Sequence, residues 1–342
     1  MMKILTSYWV IGVVFLLISG SALAARDEDH LTRTFPAKRL VRLETSMGTC
    51  VIKTGTTNEI KVDLDYSVEF SGGGYYQPEM EEEGDELVLG ERMKCRHCRG
   101  EVTWTLTVPE RTEVRFETAS GDLEATGTAS RIVAGIASGS VSLTDCKGPI
   151  HVKTASGRFD IRNYSGELSA STASGDIDIR ACEGDIEVST ASGDIKAADL
   201  SGDLALTTAS GSVRADNLKG KMKLSTASGN VRASGISVEG ISSFSSASGD
   251  AVVSLASSPA SDIEVGSASG DAVLRFNGNP IRGHIEFIAL ADEGDISAPF
   301  KFDDEREFRR HGQYYIGKSA TVGTEGPEIT IRTGSGEAAL EK

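Results

Sequence analysis

The tripeptide Ala-Ser-Gly recurs with its glycine at Gly121, Gly139, Gly157, Gly175, Gly193, Gly211, Gly229, Gly249 and Gly270, in six steps of 18 residues followed by steps of 20 and 21. A fixed period of this length belongs to a chain that stacks one structural unit on the next. Each unit also divides in half. Gly175-Asp176-Ile177-Asp178-Ile179 is followed nine residues later by Gly184-Asp185-Ile186-Glu187-Val188, and Gly148, Gly166, Gly202 and Gly220 mark the same half-step. Apolar and polar residues alternate after each glycine, the pattern of a short, half-buried strand. The glycines are read as turns, where glycine takes a positive φ at low cost.

Two strands and two turns close one coil. Stacking places residues 18 apart above one another at about 4.8 Å. One inward column then reads Leu123, Val141, Phe159, Ile177, Ile195, Val213 and Val231, and a second reads Leu168, Ile186, Leu204 and Met222. Two such faces enclose a thin aliphatic core, in keeping with an aromatic content of only 6%. No proline lies between Pro149 and Pro259, as strands paired on both edges require. The expected fold is all-β: a two-sided parallel β-solenoid of 18-residue coils made of two nine-residue halves, right-handed by the usual chirality of parallel crossovers. An antiparallel meander would explain the alternation but not the better match at 18 than at nine. A left-handed hexapeptide helix would repeat glycine at six.

Residues 1–24 read as a signal peptide: Lys3, an apolar run from Trp9 to Ile18, and a small-residue cleavage pattern at Ala22-Leu23-Ala24. No later stretch could span a membrane, so the chain is expected to be exported, periplasmic or extracellular. Residues 25–39 are polar and expected to be a flexible lead-in. Residues 40–342 then form a single solenoid domain, with irregular early coils that cap the stack, regular coils over 118–271 and irregular coils over 272–342. The charged stretch 300–311 is expected to be helical or irregular.

Residues 71–100 break the pattern. A glycine run leads into Tyr75-Tyr76, an acidic cluster, one short strand at Leu87-Val88-Leu89, and a basic run enclosing Cys95 and Cys98. Tyr75, Tyr76, Arg92, Arg96 and Arg99 are the candidate partner-binding residues of this insert, since tyrosine and arginine anchor interfaces; the plain alternative is a mobile, solvated loop. Zinc needs about four ligands, and no second Cys-x-x-Cys exists. In an exported protein the pair reads as a disulfide, either Cys95 to Cys98 or one of them to Cys50. Cys146 and Cys182 fall in one column two coils apart, about 9.6 Å, too far to bridge, and are expected to be buried free thiols.

The repeats Thr-Ala-Ser-Gly-Asp-Ile, the Val108-Pro109-Glu110 lead into them and the closing Ile329-Thr330-Ile331…Gly334-Ser335-Gly336 unit resemble the bacterial putative-adhesin family, a domain of unknown function similar to the head domains of autotransporter adhesins. The resemblance covers roughly residues 40–340. It implies an exported β-solenoid and brings no catalytic residues, because the family has no agreed ones. The insert with its Cys-x-x-Cys is not part of that pattern.

The net charge of −15 makes nucleic acid an improbable partner. Aspartates such as Asp176, Asp185, Asp194 and Asp203 suggest a calcium roll, but the column is broken by Ser140, Arg158, Ser212 and Lys221. The aspartates are read instead as closing their own turns, and neither metal nor cofactor is expected. The threonines 154, 172, 190, 208 and 226 are read as a turn-stabilising hydroxyl ladder. An outward column, Glu124, Ser142, Asp160, Asp178, Lys196, Arg214 and Arg232, places Asp160 and Asp178 about one coil apart, which crudely suits a polysaccharide-active enzyme; a solvated charge ladder is the simpler account. The functional expectation is a non-enzymatic binding, adhesion or structural scaffold of the bacterial envelope, with an envelope protein or glycan as partner. A polysaccharide lyase or hydrolase on a β-helix is one alternative, and an envelope sensor or assembly factor the other.

Overall fold

The computed structural model describes residues 25–70, 74–94 and 98–342, and the signal-peptide reading of 1–24 lies outside them. Every regular element among the described residues is a strand. The coils stack in parallel at the 18-residue register that the columns require: Leu123, Val141, Phe159, Ile177, Ile195, Val213 and Val231 are consecutive Cα partners. Leu168, Ile186, Leu204 and Met222 do the same on the opposite sheet. All eleven are buried. Each large aliphatic side chain so enclosed contributes about 1.5–3 kcal/mol, so the stack is held by many equal, local increments.

A third inward column stands at one corner, where Cys146, Tyr164, Cys182, Leu200 and Leu218 are buried. Cys146 and Cys182 are free thiols. Just before it runs a column in the left-handed region: Gly127, Asp145, Asn163, Ala181, Asp199, Asn217 and Gly235, with φ of 53–67°. Glycine, asparagine and aspartate tolerate this conformation, and Asn163 and Asn217 also donate to Asp145 and Asp199 one coil below, at 2.9 and 3.1 Å. Ala181 alone in the column has neither advantage.

The opposite corner carries the Thr-Ala-Ser-Gly repeat, and here three side-chain roles become visible. The threonines point inward, and in the later coils they donate to the carbonyl of the turn glycine one coil down: Thr190 to Gly175 at 3.1 Å, Thr208 to Gly193 at 2.9 Å, Thr226 to Gly211 at 2.7 Å. Ser246, Ser267 and Thr333 continue the ladder. Contrary to the expectation from the sequence, the aspartates after the repeat glycines do not close their own turns. Their Oδ1 accepts a backbone N–H from the turn above: Ser140 on Asp122, Asp194 on Asp176, Ser212 on Asp194, Glu337 on Asp271. They are rivets between coils. The glycine reading also needs correction. Gly121, Gly157, Gly193, Gly211 and Gly229 are not in the left-handed region; a Cβ on any of them would lie 1.8–2.1 Å from the carbonyl oxygen of the glycine below. Gly139 and Gly175, with φ near 160°, are packed in the same way. Close approach of backbones, rather than φ, selects glycine at this corner. The half-step glycines Gly184, Gly202 and Gly220 combine both constraints, a positive φ and a Cβ that would lie 2.0–2.1 Å from the carbonyl oxygen below.

The two ends are built alike. At the start of the chain the strands are β1 (Ala25–Pro36), β2 (Leu40–Met47), β3 (Thr49–Thr54), β4 (Glu59–Phe70), β5 (Tyr75–Glu83), β6 (Glu86–Lys94), β7 (Cys98–Val108), β8 (Glu113–Ser120) and β9 (Leu123–Thr126). The β2–β3 coil sits between the β6–β7 coil and the β8–β9 coil, so the stack order differs from the chain order. Antiparallel strands then close the end: β4 on β7, β1 on β4, β5 on β6. At the other end the final coil, Glu328–Arg332 with Glu337–Glu341, is seated between the coil of Ile263–Ser267 and Ala272–Arg275 and that of Gly283–Leu290 and Asp295–Ser297. Gln313–Val322 runs antiparallel on Gly283–Leu290, and Asp304–Arg310 antiparallel outside it.

Three expectations are corrected here. Residues 25–36 are strand β1 rather than a flexible lead-in, because β4 offers them a twelve-residue antiparallel edge. Residues 75–94 are a hairpin rather than an insert with one short strand. Residues 304–310 are a strand rather than helix or irregular chain. All three are highly charged, which hid them from a hydrophobic pattern. As outermost strands their charges discourage further edge pairing.

Candidate binding surfaces

Four of the five partner-binding candidates are among the described residues, and their surroundings differ. Tyr75 is exposed, at 46%, while Tyr76 is buried, at 4%. Alternation along β5 sends Tyr76 inward against Tyr66, with ring centroids 4.6 Å apart. It therefore serves the core of the cap and cannot be an interface anchor. Arg92 is ion-paired across the hairpin to Glu79 at 2.6 Å. Arg99 lies on β7 opposite Glu69 and lines a shallow pocket of about 390 Å³ with Arg26 and Ser67. Arg96 and Cys95 lie outside the described residues. Cys98 is disulfide-bonded, whereas Cys50 is a buried free thiol, so the alternative involving Cys50 falls away.

Beneath the hairpin is a buried polar cluster that the sequence does not disclose. Glu91 Oε1 accepts from Thr45 Oγ1 at 2.9 Å and from Ser46 N–H at 2.7 Å. Its Oε2, Tyr76 Oη and Trp104 Nε1 are buried without a well-directed hydrogen-bond partner. Burial raises the Glu91 carboxyl above its ordinary range, more than those hydrogen bonds lower it. Burial likewise raises the Tyr76 phenol, with the nearby Glu91 charge adding to it.

The outward charge column is in register, from Glu124 to Arg232. Its two aspartates are already engaged: Asp160 with Arg162 at 2.8 Å and Asp178 with Arg180 at 2.7 Å, each two residues along its own strand. The Arg180 fork holds the Asp178 carboxyl below the usual carboxylate range. Both carboxylates are thus committed to ion pairs within their own strands.

A long concave surface lies along the Thr-Ala-Ser-Gly corner. It is an open trough of about 1170 Å³ with exposed alanines from Ala137 to Ala247 along one side and Lys153, Ser171, Ser189, Thr207 and Ser225 along the other. Seven coils at about 4.8 Å give it a run of roughly 29 Å. Glu117 stands at its early end, beside Glu44 on the adjacent strand. Burial raises the Glu117 carboxyl, and the Glu44 charge adds to the shift. The same corner continues through Ala268 and Gly334 into a second cavity of about 550 Å³, roofed by the hairpin of Asp304–Arg310 and Gln313–Val322. This hairpin lies in the charged stretch expected to be helical or irregular. Its signal was alternation of Arg306, Phe308 and Arg310 against Gln313, Tyr315 and Gly317 around His311-Gly312. No cluster of three metal-ligating side chains occurs among the described residues, and no described helix is long and apolar enough to cross a membrane.

No curated protein matches the sequence. Among solved structures, the crystal structure of a "putative cell adhesion protein" from Clostridium sporogenes aligns over 92% of this chain and 99% of its own, at 12% identity and a TM-score of 0.22. Two overlapping stretches, residues 91–199 and 162–341, match the family described as Toastrack DUF4097. These stretches take in most of the chain, including the stacked repeats and the final coil, and the protein therefore belongs to the Toastrack DUF4097 family.

Proposed function

We propose that the protein is an exported, non-enzymatic binding scaffold of the bacterial envelope that holds an extended ligand along the Thr-Ala-Ser-Gly corner. The observation that carries this is the trough itself: a rigid surface repeating every coil, with small side chains that leave room for a polymer and hydroxyls spaced to meet it. Its walls are set by inter-coil hydrogen bonds, so little ordering is left to be done on binding. The envelope setting rests on the reading of residues 1–24 as a signal peptide. Capture of envelope glycans and proteins on the immobilised protein, together with a glycan array, tests the proposal. Saturable binding of an extended polymer without turnover supports it; retention of nothing from either source overturns it.

One observation favours a polysaccharide-active enzyme instead. Glu44 and Glu117 are neighbouring carboxylates at the end of the trough, and the raised Glu117 could donate a proton. Release of new reducing ends or unsaturated products from a bound polysaccharide, abolished in Glu117→Gln, would establish that reading over the scaffold.

A further inference from the structure

The hairpin of Asp304–Arg310 and Gln313–Val322 projects beyond the strand it leans on: Leu290, the last residue of Gly283–Leu290, is opposite Tyr315, and the turn lies further out at His311-Gly312. One face of the hairpin, Phe308, Arg310, Gln313 and Tyr315, turns back over the corner of the solenoid. The cavity beneath it is bounded below by Ser267–Ser269 and Thr333–Ser335, and on one side by Ile288 and Leu290. Phe308 and Tyr315 are cross-strand partners whose rings stack at 5.6 Å and 16°. They present a flat aromatic wall. On the facing wall Ser269 and Ser335 are open on adjacent coils, while Ser267 and Thr333 turn inward to bond Gly249 O and Gly270 O.

The charges in the cavity are unequal in their engagement. Arg332 is paired with Glu264 at 3.2 Å. Arg310 makes no ion pair among the described residues, in a protein with a net charge of −15. His311 is on the same lip, and Glu293 is the carboxylate that lines the cavity. An unpaired guanidinium beside an aromatic wall and the two open serines, Ser269 and Ser335, matches a pyranose ring that bears a carboxylate. The apolar C–H face of the ring lies on the aromatic wall, its hydroxyls meet the serines, and its acid forms a forked pair with arginine. The cavity lies within the size range of ligand sites and opens onto the same corner as the long trough: Ala268 N–H bonds to Ser246 O, and Gly334 N–H to Ser267 O, so the corner is continuous from coil to coil.

We infer that this cavity is the anchoring site for a linear acidic polysaccharide, whose chain continues from it along the trough. This rests on the scaffold reading above and names its ligand class. The test is isothermal titration of the full chain, purified from the envelope of expressing cells at physiological salt. The probes are oligogalacturonate and hyaluronan hexasaccharides, with cellohexaose and maltohexaose as neutral arms and polyglutamate as a plain polyanion. The expected result is saturable binding of an acidic hexasaccharide at least ten-fold tighter than either neutral one or polyglutamate. Tyr315→Ala and Arg310→Gln should each weaken it about ten-fold, the second by removing the preference for acid. Tyr314→Ala, on the outward face of the hairpin, should leave it unchanged. Because Tyr315→Ala also removes a ring stacked across the hairpin, Ser269→Tyr fills the cavity from the solenoid side, where Ser269 is exposed, and should also abolish binding. The inference is overturned if no acidic saccharide binds, if polyglutamate binds equally well, or if Ser269→Tyr and Arg310→Gln both bind as wild type. Binding that survives both variants leaves the scaffold reading standing with its site elsewhere. Binding with cleavage of the saccharide places the ligand correctly and refutes the scaffold reading instead.

Discussion

Gly193→Ala isolates the reason for glycine at the repeat corner. The backbone of Gly193 is not left-handed, so an added methyl causes no φ strain, yet its Cβ would stand 2.1 Å from Gly175 O and 2.6 Å from Gly175 C. An ordinary contact of these atoms is above 3 Å, so the coils must part by roughly 1 Å at that point, a gap that already forfeits much of the van der Waals well. Three bonds across the same junction stretch with it: Gly175 N to Ser192 O at 3.2 Å, Ile177 N to Asp194 O at 2.9 Å, and Asp194 N to Asp176 Oδ1 at 3.0 Å. At about 1 kcal/mol net each, the loss is about 3 kcal/mol. Gly84→Ala is the contrast, with φ at +60° and nothing within 4 Å of the added atom. It carries only the left-handed penalty, about 1 kcal/mol. Urea denaturation followed by far-ultraviolet circular dichroism gives both values, and amide hydrogen exchange over residues 175–195 reports the local opening expected of a stack with nearest-neighbour coupling. If Gly193→Ala costs no more than Gly84→Ala, the close-approach account fails.

The neighbouring corner gives the opposite sign. Ala181→Asn places a left-handed-tolerant residue with a donor in line with Asn163 and should stabilise by about 1 kcal/mol, raising Tm by about 1–2 °C, while Ala181→Val should lower it. Thr208→Val removes a buried bond to Gly193 O and should cost about 1 kcal/mol; Thr154→Val, whose hydroxyl is buried without a partner, should cost nothing measurable in the same urea titration. Cys50, Cys146 and Cys182 should resist a thiol reagent until the protein unfolds, since burial raises all three thiols, Cys182 to about 11; rapid labelling of the native protein would contradict their placement. Glu91 is held above its ordinary pKa in the folded state, so folding favours its protonated form. The cost of its charge is absent below the unfolded value near pH 4 and grows as pH rises through the folded value. Glu91→Gln keeps the acceptor for Thr45 and Ser46 and should raise Tm at pH 7.5 but not at pH 4; an equal shift at both would refute the titration.

Much of the fold was legible in the spacing of one tripeptide. An 18-residue repeat with a nine-residue half-step and period-two alternation leaves little choice except stacked parallel coils, because register, inward columns and turn positions are all local and all repeat. Val141, Ile177 and Val213 could therefore be placed over one another without a structure, and so could the free thiols Cys146 and Cys182. The sequence by itself also determined that Asp160 and Asp178 would be neighbours, since position in the coil follows from residue number alone.

Tertiary contacts decided the rest. Residues 25–36 carry no apolar alternation and 304–310 only the faint one around Phe308, and each becomes a strand where β4 or Gln313–Val322 offers a partner, because an outermost strand satisfies its backbone from one side and needs no apolar face. The insertion of coils out of chain order at both ends depends on pairings far apart in sequence, such as β2 with β6 and Ile263 with Ile329. Which atom each turn aspartate bonds, and whether a glycine answers to φ or to the carbonyl beneath it, depends on the coil next door. The cavity at Phe308, Arg310 and Tyr315 is likewise invisible in the chain, since it exists only where a hairpin from one part of the sequence comes to rest over Ser269 and Ser335 from two others.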